Sequence, residues 1–144
     1  MIIKQISAFV ENKSNGVSEI TKILGNGGID IRALSIADTT EFGILRMIVN
    51  DTERAEKLLS EAGVSVKVTA VSAVAVPDSP GGLAGALAFL SDGGINLEYI
   101  YAFVGGGGKG APVVFKADDQ AKSERLLAEA GFDEISAGDL FAKL

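Results

Sequence analysis

The chain has 144 residues, 47% of them hydrophobic and 22% charged, with a net charge of −6. That is enough apolar material for a packed core and too much for a disordered chain, and with no run of Lys and Arg to follow a phosphate backbone or an anionic membrane, neither nucleic acid nor membrane is expected as a partner. Cys and His are both absent, which removes disulfides, thiolate nucleophiles, imidazole bases and nearly all zinc or copper chemistry, so no metal and no cofactor are expected.

The opening MIIKQIS lacks a basic stretch followed by a continuous apolar one. No apolar run approaches the roughly 18 residues of a membrane span. A cytoplasmic location is expected. KQISAFVE then reads as a strand, and Val17, Ile20, Ile23 and Leu24 fall at helical spacing. DIRALSIAD and GILRMIVN read as strands around a turn at Thr39 to Gly43. Asn50 with Glu53 predicts a capping box before the stripe Ala55, Leu58, Leu59 and Ala62, which Gly63 ends. VSVKVTAV closes the unit as an alternating strand, and the order is βαββαβ.

The same order follows again. Strands are predicted near Ala73 to Val76, Tyr99 to Val104 and Pro112 to Ala117, with helices carrying Leu83, Leu87 and Leu90, then Leu126, Leu127 and Ala130. NGGIDIRAL aligns with DGGINLEYI at a shift of 66 (residue 26 to 92), and EKLLSEAG with ERLLAEAG at a shift of 68 (residue 56 to 124). The two extra residues fall in VGGGGKG, a loop that can lengthen without disturbing packing. The chain is one unit written twice, residues 1–70 and 71–144. No Gly or Pro stands between Val64 and Val76, so the last strand of the first copy runs almost directly into the first strand of the second, and a shared interface is expected rather than a flexible tether.

A split βαββαβ unit closes as a ferredoxin-like antiparallel sheet with both helices on one face, its second strand at an edge. The expected fold class is α+β, two such units side by side. Each edge needs covering, and the other copy's second strand is an available partner.

GGGGKG satisfies G-x-G-x-x-G at Gly105, Gly107 and Gly110, but it leads into another strand instead of a helix, and Gly110 follows Lys109 where a P-loop needs Ser or Thr. A hairpin is the plainer reading. PDSPGGL does lie between a strand and a helix, where outward N–H groups suit a small anion such as a carboxylate. ENKSNGV is the same place in the first copy. Asn12 and Asp78 are equally suited to capping and to ligand contact, and the glycines have a structural use in supplying positive φ.

PDSPGGL, GGIDIRALSIADTTEFGILRMIV and GGINLEYIYAFV together resemble the ACT domain, a βαββαβ small-molecule-binding regulatory module, present twice over nearly the whole chain. Ser14-Asn15-Gly16-Val17 departs from the Pro-Gly-x-Leu pattern that the second copy keeps. The resemblance implies second strands lying side by side in an eight-stranded sheet, and an amino acid bound between the first loop of one domain and the second strand of the other. Carried over, one pocket would combine Asn12, Asn15, Gly16 and Val17 with Tyr99, Tyr101, Ala102 and Phe103. The other would combine Asp78, Pro80, Gly81, Gly82 and Leu83 with Ser35, Ile36, Ala37 and Asp38. Asp78, Asp38 and Asn12 are candidate acceptors for the ligand's ammonium. Tyr99, Tyr101 and Phe103 share one strand face, which serves as a pocket floor, in cross-strand packing or as cover for a partner.

The implied function is a non-catalytic sensor in which an amino acid shifts the affinity of a partner enzyme of amino-acid metabolism. The alternative is an architectural subunit of such an enzyme, without ligand binding. A second copy of the chain is a further candidate partner. Asp, Glu, Lys, Ser and Tyr are present but at no diagnostic catalytic spacing, and no catalytic residue is assigned. Leu140, Phe141 and Leu144 of the tail are candidates to pack on the sheet or on another chain.

Overall fold

Period-two alternation makes Ile3–Glu11 the first strand, β1, with Ile6, Ala8 and Val10 in the core and Gln5, Ser7 and Phe9 on the opposite face. The computed structural model describes residues 3–11, 16–38, 42–103, 110–136 and 138–139, with Asp38 and Phe42 described for their backbone alone. Two units emerge, Lys4–Thr69 and Ala70–Leu144 with Met1–Ile3.

In the first unit β1 is followed by α1 (Gly16–Asn26), β2 (Ile31–Asp38), β3 (Phe42–Val49), α2 (Thr52–Glu61) and the start of β4 (Val66–Val76). The strand order is β2-β3-β1-β4, with antiparallel registers that set Ile6 opposite Met47, Ala8 opposite Leu45, and Leu34 opposite Met47. One face of this sheet gives Ile6, Ala8, Leu45, Met47 and Val49 to a core completed by Ile20 and Leu24 of α1 and Ala55 and Leu59 of α2. Each large side chain so buried contributes about 1.5–3 kcal/mol. β2 stands at the outer end of the order, as the topology predicts.

The second unit continues β4 into α3 (Gly82–Asp92), β5 (Leu97–Ala102), β6 (Ala111–Ala117) and α4 (Gln120–Glu129). Its strand order is β4-β6-β5, Val74 facing Val113 and Tyr101 facing Val114. Val74, Val76, Val113, Phe115 and Ala117 form a core with Ala86 and Leu90 of α3 and Leu127 of α4. In place of a full fourth strand, Ile135 N–H donates to Ala73 O and Ala75 N–H to Asp133 O, both at 3.0 Å, around a single bridge between Val74 and Glu134.

Three sequence expectations need correction. Among the described residues the sheet has six strands, not the eight that the resemblance implies, because one β4 serves both copies and the last strand of the second copy is reduced to the Val74–Glu134 bridge. The strands read separately as Val64 to Val71 and Ala73 to Val76 are one strand, β4, which crosses the boundary between the units; with no Gly or Pro there, nothing breaks the ladder. The cap of α2 is Asp51, not Asn50: Asp51 is extended and its carboxylate accepts from Arg54 N at 3.1 Å. Asn50 instead accepts from Asp30 N at 2.9 Å, tying the start of β2 to the end of β3. Asp119 and Asp118 repeat both roles, toward Lys122 N and Asn96 N. Tail residues Leu140, Phe141 and Leu144 lie outside the described residues.

Candidate functional site

The opening turn of the second copy begins where β4 ends at buried Val76, followed by exposed Pro77, Asp78, Ser79, Pro80 and Gly81. Gly81 has φ +84° and caps α3 with no side chain to accept from the helix N–H groups. The backbone supplies what order there is: Gly82 N–H donates to Ser79 O at 3.0 Å and Gly85 N–H to Gly81 O at 2.9 Å. A Cβ on Gly82 would collide with the Pro77 carbonyl oxygen. The two adjacent glycines therefore do different work: Gly81 takes a left-handed conformation, and Gly82 lets the helix start press against the strand end.

Leu83 follows at 40% exposure. Asp78 makes no hydrogen bond or ion pair among the described residues, so it does not cap α3. An uncapped helix start with no acidic residue in its first turn presents partial positive charge to solvent. Such a place can hold a carboxylate.

In the first copy Asn12 and Asn15 lie outside the described residues. Gly16 opens α1, where a Cβ would strike the Val10 side chain, and Val17 packs on the first core. Gly16 and Gly82 thus answer the same steric demand in the two copies.

On β2, Ser35 and Ala37 are half-buried and Ile36 is 52% exposed. Asp38 pairs through its backbone with Gly43, and its side chain lies outside the description. On β5, Tyr99 and Tyr101 stack on each other with centroids 6.4 Å apart. Ile100 packs on the second core, so by alternation the two tyrosines turn to the face away from the helices. Ala102 is exposed, and Phe103 continues the ladder by donating its N–H to Pro112 O at 3.3 Å. Among the described residues, Pro80 to Leu83 stand together at the start of α3, Ser35 to Ala37 along β2, and Tyr99 to Ala102 along β5.

One polar feature escaped sequence reasoning. Ser72, 1% exposed, donates to Glu124 Oε1 at 2.5 Å and accepts from Gln120 Nε2 at 2.7 Å, and Gln120 Oε1 accepts from Ala117 N at 2.9 Å. Beside them is a shallow recess of about 10 Å³, room for one water, lined also by Phe115, Leu127 and Phe132. The signal was in the repeat: Ser72 stands where the first copy has Ile6, and Ser123 where it has Ala55. Among the described residues no group of three or more His, Cys, Asp or Glu could hold a metal ion, and no helix is long and apolar enough to cross a membrane.

The sequence profile that describes an ACT domain pair matches residues 1–143. Among solved structures, protein BT0572 from Bacteroides thetaiotaomicron is 38% identical with a TM-score of 0.90, covering 99% of this chain and 98% of that one. The ligand-free regulatory subunit of aspartate kinase from Thermus thermophilus is similar in fold, at TM-score 0.63 and 14% identity, covering 89% of this chain and 91% of its own. The aspartate kinase of Clostridium acetobutylicum contains a similar fold at TM-score 0.51 and 13% identity, over 90% of this chain and 33% of that one. No curated protein matches the chain.

Proposed function

Because this chain belongs to the ACT domain pair family, we propose that it is a non-catalytic regulatory protein that binds a free amino acid between two ACT domains and thereby tunes a partner enzyme of amino-acid metabolism. The observation that carries this reading is the opening turn of the second copy. There Gly81 and Gly82 start α3 without a side-chain cap, and the N–H groups of that helix start would donate to a ligand carboxylate. The ligand's ammonium would be taken by Asp78 and, from the second strand, by Asp38. Tyr99, Tyr101, Ala102 and Phe103 would face the first copy's Asn12, Asn15, Gly16 and Val17 in the other pocket. The name of one fold neighbour, a regulatory subunit of aspartate kinase, is consistent with such a role.

Regulation requires the ligand to bind one arrangement of the protein better than another. Thermal-shift and calorimetric titration with each proteinogenic amino acid, up to several millimolar, tests the reading. At a hundredfold excess over Kd, a ligand should raise the unfolding midpoint by roughly 5–10 °C. Silence toward every amino acid, in both heat and midpoint, would overturn it.

A further inference from the structure

Strand β2 is the outermost strand of the first unit, and among the described residues it pairs with β3 alone. Its open side presents the N–H and C=O groups of alternate residues, a ready template for another strand. Edges of this kind are ordinarily guarded by Lys, Pro or a bulge. From Arg32 to Asp38 there is neither Lys nor Pro, and the one irregularity lies at the start of the strand, between Ile31 and Ala33. Leu34 and Ile36 are 41% and 52% exposed, although the residues opposite them on β3, Met47 and Leu45, are fully buried. The helix-bearing face of the sheet is therefore apolar and open at this margin.

The residues of this edge also run in a self-complementary order. Outward from Ser35, Leu34 is matched by Ile36, Ala33 by Ala37, and Arg32 by Asp38. Directly opposed residues of an antiparallel pair share a face, so a strand pairing with its own copy must do so about a residue. A register centred on Leu34 would oppose Asp30 to Asp38 and Arg32 to Ile36, and one centred on Ile36 would oppose Leu34 to Asp38. Of the three, the register centred on Ser35 alone sets apolar against apolar and, at each end, cation against anion. Arg32 closes the regular ladder at one end, and Asp38, paired through its backbone with Gly43, closes it at the other. Arg32 lies 3.7 Å from Asp30 with its side chain 28% exposed, open enough to meet a second carboxylate.

We propose that β2 is a homodimer interface, in which two copies of this chain pair antiparallel about Ser35 and continue the first unit's sheet from one molecule into the next. Each dimer then holds the Leu34 to Ile36 contact twice and the Arg32 to Asp38 contact twice. The pairing needs no ligand and stands apart from the amino-acid-binding reading.

Sedimentation equilibrium of the full chain, without added amino acid, should give twice the mass of the chain at micromolar concentration. Arg32→Asp and Asp38→Arg each set like charges at both ends of the pairing and should weaken the dimer at least roughly tenfold. Mixed in equal amounts, the two variants regain opposite charges at both ends and should recover the original affinity to within about threefold. Ile36→Lys, a change at an exposed position, should give a folded monomer. Because the chain has no Cys, mild oxidation of Ser35→Cys should yield a covalent dimer, whereas Ala37→Cys, which faces Ala33 in this register, should not crosslink. A chain that stays monomeric at its highest soluble concentration overturns the proposal. So does a dimer that neither charge reversal weakens, a weakened pair that mixing does not restore, or crosslinking at position 37 instead of 35. The first three would leave β2 without a second copy as its occupant, and the last would refute the register.

Discussion

At the scale of single residues, the opening turn separates two reasons for glycine that a sequence cannot distinguish. Gly81 is required by its left-handed backbone, whereas Gly82 is required by what stands next to it, the carbonyl of Pro77. Gly85, one turn into the same helix, has nothing within 4 Å of a would-be Cβ and no positive φ. The two substitutions Gly82→Ala and Gly85→Ala should therefore move stability in opposite directions. Gly85→Ala should stabilise by about 0.5–1 kcal/mol, through helix propensity alone. Gly82→Ala must push the helix start away from the strand end and should cost about 1–3 kcal/mol, with loss of any ligand held by the α3 N–H groups. Urea midpoints of the two variants, measured together, check the sign of each. A Gly82→Ala protein as stable as the unsubstituted chain would show that the close approach is not a constraint.

At the scale of elements, the loop after β3 shows how a local motif is displaced by one residue. Asn50 and Glu53 have capping-box spacing, yet Asp51 caps α2 because Asn50 is drawn across to Asp30 at the start of β2. That competing partner is 20 residues away in sequence, and nothing local announces it. Asp51→Ala should cost about 1 kcal/mol, the loss typical of a helix cap, and lower the protection of α2's first-turn amides in hydrogen exchange. Asn50→Ala should leave those amides protected and expose the Asp30 amide instead. If the two variants exchanged these signatures, Asn50 would be the cap after all. The order of elements was legible because hydrophobic periodicity and the constant offset between copies are local and repeated signals. The second-strand edges followed from topology. The single long β4, the bridge that replaces a fourth strand in the second unit, and the polar contacts of Ser72 all depend on partners that only the folded chain supplies. Ser72 could have been suspected from Ile6 at the matching position, since a core position that loses its aliphatic side chain must be repacked or wetted. The candidate ligand turn was visible as a glycine pair, but not that Asp78 would leave the helix uncapped.

At the scale of the whole molecule, the two copies share one strand, β4. Its first residues follow the Phe9-to-Ser65 backbone contact into the first sheet, and its last five pair with β6 in the second. The boundary at Thr69 and Ala70 falls within β4, which runs from Val66 to Val76. Independent unfolding of the copies would require β4 to fray at its middle while its other half stays paired. A single cooperative transition is therefore expected, with the calorimetric and van't Hoff enthalpies in agreement. The sharper test uses Leu24→Ala, which opens a cavity in the first core, where Leu24 is fully buried, and should cost about 2–5 kcal/mol. Hydrogen exchange by global opening should then accelerate in the second core as well, at Val114 and Phe115, by the same factor as in β1. Acceleration confined to the first unit, or two resolved heat-absorption peaks, would show that β4 transmits nothing and that the copies stand as separate folding units. In that case ligand binding at one opening turn would have no route through this strand to the rest of the chain.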